Sequence, residues 1–595
     1  MRLRDTIICS VAVCLAVALL VTAGMQLDFI NSERQKMKLI SNEPLTNAPP
    51  SLAFATVAMG AFRGLVVDIL WLRADRLKDQ GQFFDAKQIA EWITTLQPRF
   101  ASVWEFQAWN MAYNISVAIP ATQPQERWRW VKNGYELLRD KGIELNPKSI
   151  LLYRELARIF LHKIGSVSDD AHKYYKLQLA MAMEPLIGSA DNQTFRALAE
   201  APTDWRQIIE DANVAPLIAA LKSADKSFSD RDGFVSNYLS LRQNPARFDP
   251  AALKVIDNFR GTAALRKFDI FARAYQLRKV WKLDPVLMQE LNQLYGPVDW
   301  NDPNKHLPLD WRHPDSHAIY WAVKGLRVAG KKEYSVNETN TDRIVAHSLQ
   351  DLFRNGKMFI YDVPAESPSA GGRAVQDSNS QAPPIRMKEV FLRPDLRMFE
   401  PYNKAAMAIL EKYKGFKRNS YTSLQNGHRN MLKNALLSFY QAGHIRQAQK
   451  IYNQLRQLYP RDEFNVPLVV FVRNRIRKEL YGIGINNAKE MIEMLLRESY
   501  FRYAVRDDDE AFGKEKMAKE VYDYYQSAYL DENRINLPDF KLLRYFALID
   551  FLNDRQYPPN LRLNLRGRIK IERPELARQL EQQEKKLLEK AKSEE

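Results

Sequence analysis

The sequence predicts an all-α protein, an α-solenoid of antiparallel helix pairs behind an N-terminal transmembrane helix. Three observations predict it. One spacing occurs twice: Gly81, Phe83, Ala86 and Pro98 stand at the same intervals as Gly443, Ile445, Ala448 and Pro460. Each set follows one apolar stretch of helical period and contains another. Thr6–Gly24 is an uncharged apolar run behind Arg2 and Arg4, long enough to cross a bilayer as a helix. Strand patterns are rare; Leu468–Val472 is the strongest short apolar run, and it fits a helix as well.

Each landmark has a physical reason. The glycine sits in the turn between the two helices, where it takes positive φ without a Cβ penalty. The alanine lies where the helices cross most closely, so a larger side chain would push them apart. The proline ends the second helix, because it lacks an N–H and clashes with the preceding turn. Counting on from Pro98 starts a further pair near Ala101, with Trp104 and Ala108 at the aromatic and small positions. Counting from Pro147 places Tyr153, Leu156, Ala157 and Phe160 on the corresponding positions. Before Gly443, Leu432 and Phe439 take the two large positions, while Ala435 and Leu436 reverse the usual order. The competing explanation is a generic helix pair whose landmarks agree by chance.

This register resembles the tetratricopeptide (TPR) repeat superfamily over residues 66–185 and 430–460. It departs from the pattern between Ile119 and Pro147, where the connection is long and Tyr135 replaces the small residue, and it fades between Ala190 and Asn430. Phe62-Arg63-Gly64-Leu65 followed by Asp68-Ile69-Leu70-Trp71 is similar to a motif of bacterial membrane-anchored proteins with TPR repeats. The resemblance implies a scaffold that binds other proteins at a membrane or envelope, with no catalytic site, cofactor or metal. Carried over by register, the groove positions are Trp71 and Asp75, Trp109 and Tyr113, Arg154 and Arg158. Members of each pair are four apart and share a helical face. The arginines could grip carboxylates bidentately, the Trp and Tyr could anchor an apolar segment, and Asp75 could meet a basic side chain. Alternatively, the aromatics fill the core and the charges form a solvated face.

The nine Ile, Val and Leu residues of Thr6–Gly24 favour insertion by roughly 3–5 kcal/mol. A cleaved signal peptide competes, since Val21-Thr22-Ala23 resembles a small-residue cleavage site. Ser51–Leu72 is apolar too, but Arg63 and Asp68 cost roughly 5–7 kcal/mol inside a bilayer. Its Gly60 and Gly64 form a GxxxG pair, which packs membrane helices or lets a soluble helix approach its neighbour. Because the first helix of the repeat must occupy Val66–Leu77, a soluble or membrane-surface helix is expected. One span places the body outside the cytoplasm, at a bacterial inner membrane; two spans would return it.

The charge balance is basic, 87 Lys+Arg against 71 Asp+Glu. The basic residues are interleaved with acids, and no recognition helix, RNP-like strand or zinc-finger spacing is present. Nucleic acid is therefore disfavoured; acidic partners or an anionic membrane suit this diffuse field better. A glycan-binding accessory role is the main alternative, with Trp104 or Trp109 stacking on sugars. Both cysteines, Cys9 and Cys14, lie in the apolar segment, so the body has no disulfide, thiolate zinc site or cysteine nucleophile.

The expected organisation is an anchor or signal segment at 1–30, a linker at 31–50 and a helical array at 51–185. A helical middle region follows at 186–363, with a flexible linker at 364–384, a second array at 385–572 and a charged helical tail at 573–595. Thr262–Lys282 reads as an amphipathic helix. Within the middle region Pro297-Val298-Asp299-Trp300-Asn301-Asp302-Pro303 is echoed by Pro308-Leu309-Asp310-Trp311-Arg312-His313-Pro314, a pair of Trp-bearing turns. The tail leucines Leu576, Leu580 and Leu587 fit a solvated helix or a coiled-coil seam. No phosphate loop, nucleophile elbow or HExxH helix appears; Gly482-Ile483-Gly484 is only a fragment of a glycine motif. His306, His313 and His317 form the tightest histidine group, and Pro314 between the last two favours turn and cap roles over metal ligation. Arg127-Trp128-Arg129-Trp130 either touches lipid headgroups or starts a helix.

Overall fold

The computed structural model describes residues 63–188, 190–329, 335–364, 386–415, 418–480, 485–529, 537–554 and 557–594, with scattered positions between 11 and 26. The described residues are mostly helical. Positions 11–16, 18, 19, 21 and 22 of the expected anchor are helical, and Val11, Val13, Leu15, Leu19 and Val21 are exposed. Among the described residues no helix is long and apolar enough to cross a membrane. Apart from Gln26, the rest of 1–30, the linker 31–50, residues 51–62 with Gly60, and Gly482-Ile483-Gly484 lie outside the described residues.

Contacts divide the chain into two units, Met1–Pro98 and Arg99–Glu595, so the division falls inside the expected array 51–185. In the first unit, helix Arg63–Asp79 packs on helix Phe83–Leu96. Gly81 turns between them at φ 75°, and the Gln82 N–H bonds back to the Leu77 carbonyl at 2.9 Å. Ala86 is fully buried. Gln97 leaves the helix at φ −132°, ψ 75°, because the ring of Pro98 disfavours a helical residue before it.

The second unit repeats this geometry. Gly443 sits at φ 83° between helices Arg418–Gln441 and Ile445–Leu458, and the His444 N–H bonds to the Phe439 carbonyl at 2.9 Å. Ala448 is fully buried, and Tyr459 before Pro460 exits at φ −135°, ψ 65°. Asn146 before Pro147 and Arg573 before Pro574 leave their helices at φ −131° and −133°. Four X–Pro junctions thus stop four helices in one way.

Helices Ala101–Trp109, Pro124–Leu137 and Ile150–Arg158 each continue into π-helical turns, at Asn110–Ile115, Leu138–Gly142 and Ile159–Gly165. The small residue expected at Tyr135 is its neighbour Gly134. A Cβ on Gly134 would stand 2.8 Å from the Ala108 carbonyl oxygen and 3.2 Å from the Ala112 Cβ. Tyr135 itself is core, its ring 5.2 Å from that of Phe160. Trp104, Tyr153, Leu156, Ala157 and Phe160 are buried as their register requires.

Helices continue through the middle region where the repeat register fades. Aspartate or threonine side chains cap the helices starting at Asn192, Trp205, Pro250, Ala263 and Pro285, each satisfying a free N–H of the first turn. Pro185 lies inside helix His172–Ile187. Helix Pro314–Ala329 packs against Ile150–Arg158 and Val336–Asn355. The first of these partners lies more than 150 residues away in sequence, whereas a regular solenoid contacts only neighbouring repeats. One buried cluster runs from Trp104 to Leu580, each large apolar side chain in it worth about 1.5–3 kcal/mol.

Three features depart from the sequence expectations. Lys357–Pro364 and Arg386–Arg393 form an antiparallel hairpin, with Lys357 opposite Arg393 and Pro364 opposite Arg386. The expected linker 364–384 therefore begins in a strand and connects two paired strands; its remaining residues lie outside the described ones. Met358 and Val390 bury against Ala180 of helix His172–Ile187. The two Trp turns are not equivalent: Trp311 is fully buried and donates to Asn292 at 2.9 Å, while Trp300 stays 45% exposed. The tail helix Pro574–Glu594 packs on Phe540–Asn553 and Pro559–Glu572, burying Leu576 and Leu580, so its first turns are neither solvated all round nor a free seam.

Candidate partner-binding surface

The second unit brings four of the carried-over groove residues together. Trp109 and Tyr113 are both half-buried. They stack with ring centres 6.2 Å apart and planes at 23°. The π-helical turn from Asn110 carries Tyr113, and a second such turn brings His162 to 5.8 Å from the Tyr113 ring. The Arg158 guanidinium lies 4.9 Å from the ring centre and the Lys163 ammonium 5.4 Å, both within cation–π range. π-helical turns often mark functional positions, because they displace side chains from the α-helical register.

The charges are paired within the chain. Arg158 forks onto Glu155 at 2.9 and 2.6 Å. Arg154 bonds Glu105 at 2.9 Å and also Asn337. The arginines thus do not stand open for a partner's carboxylate. Burial and the neighbouring Glu155 push the Glu105 carboxyl above its ordinary range. Burial raises the Tyr113 phenol, whose hydroxyl is enclosed and finds no hydrogen-bond partner among the described residues. His162 is lowered, by burial first and then by Arg158 and Lys163, which favours the neutral imidazole.

Beneath this surface lies a second network. Asp169 accepts from Lys163 at 2.5 Å, Arg127 at 3.1 Å, Tyr175 at 3.2 Å and the Ala171 N–H at 2.8 Å. Burial opposes ionisation of Asp169, but Lys163 and the other donors hold it below the usual carboxylate range. Lys163 is also lowered, because its own burial outweighs Asp169. Its four donors hold Asp169 as an ionised carboxylate. Arg127 is thereby a buried structural residue, and Trp128 packs on Tyr175 at 5.8 Å. The Arg-Trp-Arg-Trp run starts a helix at Pro124.

Trp71 and Asp75 belong to the first unit. Trp71 is half-buried and Asp75 is exposed, bonded to Lys78 at 2.6 Å. Leu65, Ile69 and Leu72 of the same helix are exposed and recur at spacings of one helical face. Trp104, the other expected sugar platform, is only 4% exposed and cannot stack on a ligand.

The histidines take turn and cap roles. His306 contacts the Gly296 carbonyl at 2.7 Å and His313 the Asn355 carbonyl at 3.1 Å. His317 is fully buried, 2.9 Å from the Trp311 carbonyl. Among the described residues no group of three or more His, Cys, Asp or Glu could hold a metal. Glu105, Glu155, His162 and Lys163 were not singled out by the sequence; only their i±4 relation to Trp109, Arg158 and Ile159 on the same helices signals them. No protein-family model matches the chain, and no curated protein matches it.

Proposed function

We propose that the chain is a membrane-anchored scaffold whose TPR-like helical array binds a segment of a partner protein. The observation that carries this reading is the half-buried Trp109–Tyr113 stack, framed by Arg158, His162 and Lys163. Flat aromatic anchors set in a rigid, water-poor frame are the commonest source of interface affinity. Because Arg154 and Arg158 are neutralised by Glu105 and Glu155, the surface favours an apolar or aromatic segment over an acidic one.

The tether is the run Thr6–Gly24, supported by the exposed apolar side chains at positions 11 to 21. The exposed Leu65, Ile69 and Leu72 suit a helix lying on a lipid surface after that tether. A bacterial inner-membrane location with the body extracytoplasmic remains part of this proposal.

Photocrosslinking tests the partner surface. A benzoylphenylalanine at Asn114, beside Tyr113, should yield a discrete protein adduct in cells. The same probe at Arg129, whose side chain is 72% exposed on another helix, should not. Equal adducts from both positions, or none from Asn114, would refute the assignment.

A further inference from the structure

A groove of about 610 Å³ opens in the second unit beside helix Val336–Asn355. That helix supplies Arg343, His347 and Arg354 on one face, at i, i+4 and i+11. Lys433 comes from helix Arg418–Gln441 and Arg475 from helix Leu468–Leu480. Among the described residues that line the groove, none is acidic. Lys433 also bonds Glu463 at 2.6 Å, and Arg354 feels Asp351 of its own helix. Arg343 and Arg354 make no hydrogen bond or ion pair among the described residues. Arg154 and Arg158, by contrast, pair with carboxylates.

The floor is preorganised. His428 is 4% exposed; its Nδ1 lies 2.8 Å from the Tyr459 hydroxyl and its Nε2 2.9 Å from Asn403 Oδ1. The amide oxygen can only accept, so Nε2 carries the proton and Nδ1 accepts from Tyr459. Buried Tyr402 and Leu410 give the groove an apolar wall. Beside His428, Gly427 leaves open space where a side chain would project.

Converging guanidinium and ammonium groups without lining carboxylates repel one another, and the repulsion is relieved by a bound anion. Guanidinium prefers phosphate oxygens, which it meets with paired N–H donors. Arg343 and Arg354 are separated by about three helical turns, or roughly 16 Å along the axis. A chain of phosphates with an organic body matches that backbone spacing better than a single phosphate. The volume falls in the range of small-molecule sites. We propose that this groove binds a small molecule carrying a polyphosphate chain, of the nucleoside triphosphate class. This site is separate from the partner surface and does not depend on it.

Calorimetric titration of the full chain in uncharged detergent, with ATP and with inorganic tripolyphosphate as probes, tests this. The expected result is saturable one-to-one binding of ATP, weakened about tenfold or more in the Arg343→Gln/Arg354→Gln double variant. Both probes should bind more weakly as salt rises. Neither arginine pairs within the described chain and both add to the groove's repulsion, so the unligated melting temperature of the double variant should equal or exceed that of the parent. Should the double variant misfold, Arg354→Gln alone, at the exposed end of the groove, should still weaken ATP at least threefold. Absence of saturable binding, or equal affinity in parent and variants, would overturn the proposal. Binding confined to phosphatidylglycerol vesicles, with none to ATP or tripolyphosphate, would overturn it in favour of a membrane contact.

Discussion

The Arg158 guanidinium lies 4.9 Å from the centre of the Tyr113 ring while its Nε and one terminal nitrogen fork onto Glu155. The Glu155 side chain is 2% exposed and that of Arg158 is 37% exposed. Removing the arginine leaves a buried carboxylate unpaired. Arg158→Ala should cost about 2 kcal/mol in urea unfolding, below the cost of breaking a fully buried pair because Arg158 is partly in water. Adding Glu155→Leu should restore more than half of the loss. A smaller loss without that rescue would show the pair to be incidental.

Three glycine substitutions should rank by what a Cβ would meet. Gly81→Ala suffers only the positive φ, since nothing lies within 4 Å, and should cost about 1–2 kcal/mol. Gly443→Ala adds a contact of 2.7 Å with the Phe512 ring; that ring is 49% exposed and can swing away, so Phe512→Ala should remove the excess. Gly134→Ala meets backbone at 2.8 Å and should be the most damaging, about 2–4 kcal/mol, although alanine ordinarily strengthens a helix. Unfolding midpoints of the three variants check the order.

Burial depresses His317 and His428 to about 4. Each is neutral in the folded chain and titrates near 6.5 when unfolded. The unfolded state therefore gains protons first as pH falls, and stability present above pH 6.5 is lost towards pH 4. The urea midpoint should drop across that window, and His428→Gln should flatten the slope. A midpoint unchanged between pH 7 and 4.5 would contradict the neutral assignment.

Leu580 is buried between the tail helix and the helices before it. Leu580→Asp should detach the tail, seen as faster amide exchange over 574–594, and lower stability by about 2–4 kcal/mol. The exposed Leu563 (70%) should tolerate the same change within about 0.5 kcal/mol.

The helical class and the two glycine turns were legible because they rest on local signals. Positive φ, a small crossing residue and an X–Pro stop each leave a residue-level mark. Gly134 was missed because its helix continues through a π-helical turn, so counting at 3.6 residues per turn drifts and lands on Tyr135. The 357–364/386–393 hairpin was missed because each strand's partner lies beyond a long insertion, so only tertiary pairing reveals it. Of the surface residues, the Trp109–Tyr113 pair could be read from spacing. The neutralisation of Arg154 by Glu105 could not, because the two come from different helices. The cationic groove was equally hidden, since three separate helices build its charge.

Membrane attachment of this helical array is tested most directly by alkaline carbonate extraction of membranes holding the full chain. Parallel extraction of Leu15→Arg/Leu19→Arg, which adds roughly 5–7 kcal/mol to the cost of insertion, supplies the comparison. The full chain should stay in the pellet and the variant should appear in the supernatant with an unchanged melting temperature. Release of the full chain, or retention of both, would contradict an anchor at Thr6–Gly24.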